Sequence, residues 1–200
     1  MPSAVRHALP GHTDALVATL TEAFRSDPLQ RHLFPDPDDP DRAREAGVAS
    51  LMRAEVETHI PHGHLYAIGE GETVHAAALW TPPGVMADDE KLAEAVTAHA
   101  DGETMAGAVE HFLAMFGARP TTPHFYLAVI GASDAARGRG HGSRLLQRVL
   151  DVCDAEGLPA ALESTNPRNV SLYERHGFEV TAEVRFAPDV VVRPMTRQPR

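Results

Sequence analysis

The sequence predicts an α/β fold containing a parallel step, and three observations carry that prediction. Short apolar runs with strand character alternate with longer segments whose apolar residues recur every three to four positions. Towards the C-terminus the order becomes strand, helix, strand, helix, strand, which favours a crossover between parallel strands. A chain of 200 residues with ordinary apolar and charged content builds one substantial core, so a single domain spanning 1–200 is expected.

Taken in order, Val5 to Leu9 alternates weakly and reads as a first strand, and Thr13 or Asp14 caps a helix carrying Leu16, Val17, Leu20, Ala23 and Phe24. Phe34 to Asp41 holds three prolines among aspartates and must be a loop. Arg42 to His59 is a second helix, broken at Pro61 and Gly63. His64 to Ile68 and Val74 to Thr81 are strands joined through Gly69 to Glu72. Asp88 to Phe116 is rich in helix formers, and Gly102 and Gly107 divide it into two helices.

His124 to Gly131 is nearly all apolar, as suits a strand covered on both faces. Leu145, Leu146, Val149, Leu150 and Cys153 then share one helical face, closed by Gly157 and Pro159. Ala160 to Glu163 is a short strand, Val170 to His176 a short helix ended by Gly177, and Phe178 to Phe186 and Val190 to Met195 the final strands. About six to seven strands with helices on both faces are expected.

Composition excludes several classes of function. Cys153 is the only cysteine, so neither an intrachain disulfide nor a cysteine zinc site can form, and a cytoplasmic setting fits. The N-terminus lacks the apolar stretch of a signal peptide, and no run has the length of a membrane span. A formal net charge of -10 repels nucleic acid and anionic membranes, so neither is expected as a partner. His59, His62 and His64 straddle a Pro/Gly break with no carboxylate at a ligand spacing, so no metal site is expected.

Against that acidic background, the segment from Gly131 to Leu150 carries Arg137, Arg139, Arg144 and Arg148 and only one acid, Asp134. It contains Arg137-Gly138-Arg139-Gly140-His141-Gly142, between a strand end and a helix beginning near Ser143. Such a turn offers close backbone approach, unpaired first-turn N–H groups and the positive end of a helix dipole, all suited to phosphate. No lysine follows to complete a nucleoside-triphosphate loop, and Ser143 stands where a dinucleotide fingerprint would have its third glycine.

The same residues resemble the acetyl-CoA pyrophosphate loop of GNAT acetyltransferases, Gln/Arg-x-x-Gly-x-Gly/Ala. Asn169 to Phe178 resembles that family's Asn-x-x-x-Tyr-x-x-x-Gly-Phe block. Ala77 to Pro82, Phe125 to Gly131 and Leu162 to Arg175 are similar to puromycin N-acetyltransferases, although Asp27-Pro28 replaces an aromatic-proline pair and Ala132-Ser133-Asp134 replaces Val-x-Pro. The resemblance implies a mixed sheet with splayed parallel middle strands. It implies an acceptor-side half, 1–120, with a helical insertion at 88–118, and an acetyl-CoA half, 121–200.

It further implies that acetyl-CoA is the co-substrate and that Val129, Ile130, Gly131, Ala132, Arg137, Gly138, Arg139, Gly140, His141, Gly142, Ser143 and Asn169 bind it, with a backbone N–H near Ile130 polarising the thioester. Tyr173 falls at the general-acid position, though an aromatic here could equally pack the core. Glu163, a carboxylate ending an apolar strand, is either the general base or a strand-end cap. Asn169 is a helix cap, a ligand contact or both. Asp27 and Trp80 are candidate substrate contacts, Trp80 alternatively being core. The expected reaction acetylates a primary amine of a small molecule, with a puromycin-like antibiotic and its detoxification as the candidate, by a monomer or homodimer. A protein or peptide acetyltransferase and a non-catalytic acyl-CoA-binding module are the alternatives.

Overall fold

The computed structural model describes residues 4–200; the first three residues of the N-terminal stretch lie outside the described residues. Eight strands form one mixed sheet, in the order β1-β2-β3-β4-β5-β8-β6 with β7 paired to β8. The strands are β1 (Val5–His7), β2 (Leu65–Ile68), β3 (Ala76–Thr81), β4 (Phe125–Ala132), β5 (Ala160–Ser164), β6 (Glu179–Val180), β7 (Val184–Ala187) and β8 (Val190–Arg197). Among the described residues, only β4 and β5 pair in parallel. The expected strand from Phe178 to Phe186 is two, β6 and β7, so the count exceeds expectation by one. Each pairs with β8 over a different stretch.

The helices are α1 (Thr13–Phe24), α2 (Pro28–Leu33), α3 (Glu45–His59), α4 (Asp89–Thr97), α5 (Gly102–Gly117), α6 (His141–Glu156) and α7 (Pro167–Arg175). Short α2 has no periodic signal, and its start is set by Asp27, whose Oδ1 accepts from the N–H of Leu29 at 3.0 Å, with Pro28 in the first turn. Asp88 and Asp101 cap α4 and α5 in the same way. Helix α7 begins earlier than expected. Its cap is Asn166, whose Oδ1 accepts from Arg168, because Pro167 suits the first helical position. Asn169 is therefore within the helix and is not its cap.

Two apolar clusters cover the two sheet faces. One joins α1, α2 and α3 to Ala77, Leu79 and Val129; the other joins Leu145, Leu146, Val149, Leu150 and Cys153 of α6 to Ala76, Ala78 and Trp80. Alternation along β3 thus sends Trp80 to the α6 face. There it is fully buried, with its indole N–H unpartnered. The expectation that Trp80 lines a substrate cavity is corrected: the cavity lies on the opposite face.

The register between β3 and β4 slips by one residue. Leu79 faces Val129 and Trp80 faces Leu127, leaving Ala128 unmatched as a β-bulge. Phe125 and Leu127 consequently face α6, whereas Ala128 and Val129 both face the α1 and α3 side. Past the bulge, β4 bends away from β5, and their ladder spans only Phe125–Leu127 against Ala160–Leu162 although both strands continue. This is the splay that the sequence resemblance implied. Gly131 lets α1 close against the bent half of β4, since a Cβ there would stand 2.8 Å from that of Ala23.

Among the described residues, no helix is long and apolar enough to cross a membrane. The placement of Trp80 yields a test. Trp80→Ala should cost about 3–5 kcal/mol of stability, read from chemical denaturation, while the apparent KM for an amine, measured well below the melting temperature, stays within about twofold.

Candidate active site

The splay opens onto two cavities. The first, about 910 Å³, runs along Ile130, Gly131 and Ala132 to Gly138–Ser143 at the start of α6 and to α7. Its lining includes Arg31, Arg137, Arg168 and Arg175 against Asp27 and Asp41. The second, about 560 Å³, is walled by Leu29, Leu33, Met52, Val96, Phe112 and Val129, among others. Phe24, Ile130, Asn169 and Tyr173 line both, so these four mark the junction.

The glycine loop fits a pyrophosphate. Gly138 and Gly140 hold φ values of 73° and 75°, in the left-handed region, and no atom lies within 4 Å of where their Cβ atoms would be. Gly140 is the N-cap of the sixteen-residue α6, whose first-turn N–H groups have no acceptor within the helix. His141 is held below the usual imidazole range, first by burial and then by the charges of Arg144, His75 and Arg139.

Arg137 is used within the protein. Its guanidinium pairs with Asp134 at 3.0 Å and donates to the carbonyl of Ala23 at 3.1 Å, while Arg25 pairs with Asp134 and the N–H of Asp134 donates to Glu22 at 2.9 Å. The loop is thereby tied to the end of α1, and Arg137 positions it. Ser143 lies in the first turn of α6 and lines the first cavity, whereas Arg139 is exposed and is not part of that lining.

Between Ala128 and Ala132 the edge of β4 facing β5 has no ladder partner, which leaves backbone groups available to a ligand's amide chain and carbonyl. Val129 points its side chain into the core, so any contact it makes there is through its backbone. Asn169, exposed in the first turn of α7, faces the junction.

Tyr173 is 5 % exposed, edge-on to Phe178, and its pKa is raised by burial first and by the charge of Asp27 second. It is therefore a protonated phenol at neutral pH. Asp27 is buried too. Besides capping α2 it accepts from the hydroxyl of Thr165 at 2.7 Å, and burial raises its carboxyl above the usual range despite these bonds. Asp27 sits with the first cavity, close enough to Tyr173 to act on its charge.

Glu163 faces the second cavity, because its neighbour Leu162 faces α6. Its carboxylate is fully engaged, accepting from Arg119 Nε at 2.8 Å and Nη2 at 3.2 Å and from the hydroxyl of Tyr126. Arg119 also stacks over the rings of Tyr126 and Phe116, at 3.7 and 4.5 Å. The sequence led to the expectation of a carboxylate free to take a proton, and the geometry instead presents a neutralised one. Arg119 and Tyr126 carry no sequence signal for this role; strand alternation would at least have placed Tyr126 on the Glu163 side.

These features agree with the comparisons. Residues 17–178 match the model of the Acetyltransferase (GNAT) family. The chain belongs to this family. A curated relative, an uncharacterized N-acetyltransferase of Schizosaccharomyces pombe, is 26 % identical over 197 residues, covering 91 % of this chain and 78 % of that protein. Among solved structures, one described as histone acetyltransferase HPA2 and related acetyltransferase from Corynebacterium glutamicum is 25 % identical with a TM-score of 0.71, covering 100 % of this chain and 98 % of that one. The Drosophila melanogaster polyamine N-acetyltransferase shares the fold at 18 % identity and a TM-score of 0.67, covering 97 % and 98 %. The protein is thus an acetyl-CoA-dependent acyltransferase of the GNAT type.

Two variants test the site's construction. Gly140→Val forces a branched side chain into the left-handed region and should weaken acetyl-CoA binding by about tenfold or more in calorimetry, the equivalent of 1–3 kcal/mol of strain. Arg119→Ala strands a carboxylate that is 5 % exposed and should lower stability by about 3 kcal/mol in denaturant unfolding, whereas a surface pair such as Arg53 with Asp14 should contribute under about 1 kcal/mol.

Proposed function

We propose that the enzyme transfers acetyl from acetyl-CoA to the primary amine of a small molecule with an apolar body. The single observation that carries this reading is the pair of cavities meeting at Tyr173: one basic and glycine-lined, the other apolar and about 560 Å³. Acetyl-CoA supplies the acetyl group as an activated thioester. The loop from Gly138 to Ser143 holds its pyrophosphate, Asn169 and the open edge of β4 hold the arm, and an N–H near Ile130 polarises the carbonyl. Tyr173, kept protonated by its burial, supplies the proton to the departing sulfur. Glu163 acts by fixing Arg119 and Tyr126 in the acceptor wall, and Asp27 holds α2 and Thr165 at the junction.

A small acceptor is favoured over a protein because α4 and α5 cover the second cavity; Leu92, Val96 and Phe112 form part of its wall. The amines that structural neighbours act on, agmatine and arylalkylamines among them, are consistent with this class. A puromycin-type aminoacyl-nucleoside, the finer reading, rests on the segment from Leu162 to Arg175 and belongs in the same assay.

Thiol release from acetyl-CoA should be measured with alkylamines, arylalkylamines, agmatine, puromycin and peptides. Turnover of small amines well above peptides is expected, and a preference for peptides would overturn the acceptor assignment. Tyr173→Phe should lower kcat by about 10²-fold while leaving the acetyl-CoA Kd within about twofold. Undiminished kcat would remove Tyr173 from the mechanism.

A further inference from the structure

With Glu163 neutralised and Asp27 engaged beside the other cavity, a second carboxylate in the acceptor cavity is left without a task. Glu55, on α3, lines the cavity with its side chain 15 % exposed, and its Oε2 is enclosed with no hydrogen-bond partner. Leaving such an oxygen unpaired costs free energy that a ligand's donor would recover.

The groups facing it come from every wall. From α3 itself His59 stands with Nδ1 at 3.4 Å from Oε2, but that N–H is bonded to the Glu55 carbonyl at 2.7 Å. Nδ1 therefore carries the ring proton, and Nε2 accepts from the hydroxyl of Thr81 at 3.0 Å on β3. Burial holds His59 below its usual range, so it is neutral at neutral pH, and its basic nitrogen, Nε2, is engaged by Thr81 rather than by Glu55. From α4 comes Asp89, exposed at the rim; from β4 Tyr126; from β5 Glu163; and from the turn after α5 Arg119.

The charged lining thus holds three carboxylates and one guanidinium, and the guanidinium is bidentate to Glu163. A cavity walled mostly by apolar side chains thus holds, at Glu55, a carboxylate with no cationic side chain bonded to it. The complementary ligand is a cation with an apolar body.

We infer that Glu55 receives the ammonium head of the acceptor and takes its proton. The inference rests on the acceptor assignment proposed above and names the residue that generates the nucleophile. In balance, R–NH3⁺ gives one proton to the Glu55 carboxylate, becoming R–NH2. The nitrogen forms the C–N bond as the C–S bond breaks, the thiolate takes the Tyr173 proton, and the nitrogen returns its surplus proton to the tyrosinate. Glu55 then releases its proton to solvent. Burial, partly offset by Arg119 and reinforced by Asp89, pushes the Glu55 carboxyl up to about 7, which makes it a stronger base than an ordinary carboxylate while leaving it ionised at mildly alkaline pH.

The sign of the pH dependence follows. Glu55 works deprotonated, so kcat/KM for n-hexylamine should fall as pH drops through about 7. In Glu55→Gln the neutral amine must come from solution, so the limb should move to the amine's own pKa, near 10, with about 10²-fold loss at pH 7.5. A limb still near 7 in the variant, or unchanged kcat/KM, overturns the proposal. Binding decides it independently of turnover. Calorimetry on the CoA complex should give n-hexylamine at least about tenfold tighter binding than n-hexanol at pH 8, a preference lost in Glu55→Gln. Equal affinity of the wild type for the two ligands overturns the role of Glu55, whereas absence of turnover alongside that preference overturns the acetyl-transfer reading instead. Should Glu55→Gln fail to fold, the wild-type preference measured at pH 8 and pH 5.5 replaces it: loss at the lower pH supports Glu55, and persistence refutes it.

Discussion

At Ala128, β4 carries one residue that β3 does not match, and two consequences spread from that point through the molecule. The side chains of Ala128 and Val129 fall on the same face, so the strand bends and its pairing with β5 ends at Leu127. Backbone groups that a regular sheet would have satisfied are left facing a gap, where they are open to water or a ligand. Gly131 and the ties from Arg137, Asp134 and Arg25 to the end of α1 hold the bent half in place. Both cavities are arranged around that opening.

The two sides of the opening differ in kind. Towards α6 and α7 the chain presents left-handed glycines, a helix start and arginines, an environment for a polyanion in a protein whose net charge is -10. Towards α3, α4 and α5 it presents aliphatic and aromatic walls interrupted by a few carboxylates, only one of which is neutralised by a bidentate arginine. Tyr173 stands where the two environments meet, as a phenol that burial keeps protonated. On the proposed assignment of the two cavities, donor and acceptor are sorted by charge before any specific contact forms.

Much of this was legible in the sequence. Glycine spacing located the left-handed turn that starts α6, and the apolar stripe located the helix itself. The failures have physical causes. Trp80 takes the core alternative and not the cavity, a choice left open because a strand covered on both faces gives no hint of which face a given residue takes. Of the two readings of Asn169, the cap fails because the stronger cap, Asn166 followed by Pro167, lies three residues earlier. Glu163 looked free because its partners, Arg119 and Tyr126, are 44 and 37 residues away, and nothing local announces a buried ion pair. Glu55 was invisible among the charges of α3, where Arg53 and Glu57 are solvent-facing; only the fold distinguishes the acid that turns inward.

A crystal structure with a CoA–hexylamine conjugate, joined through an acetyl bridge, tests the arrangement most directly. The account predicts the pyrophosphate against Gly138–Ser143, the arm along Ala128–Ala132 of β4 and the alkyl chain inside the cavity lined by Met52 and Phe112. An arm that bypasses the gap between β4 and β5, or an alkyl chain lying outside that cavity, would contradict it.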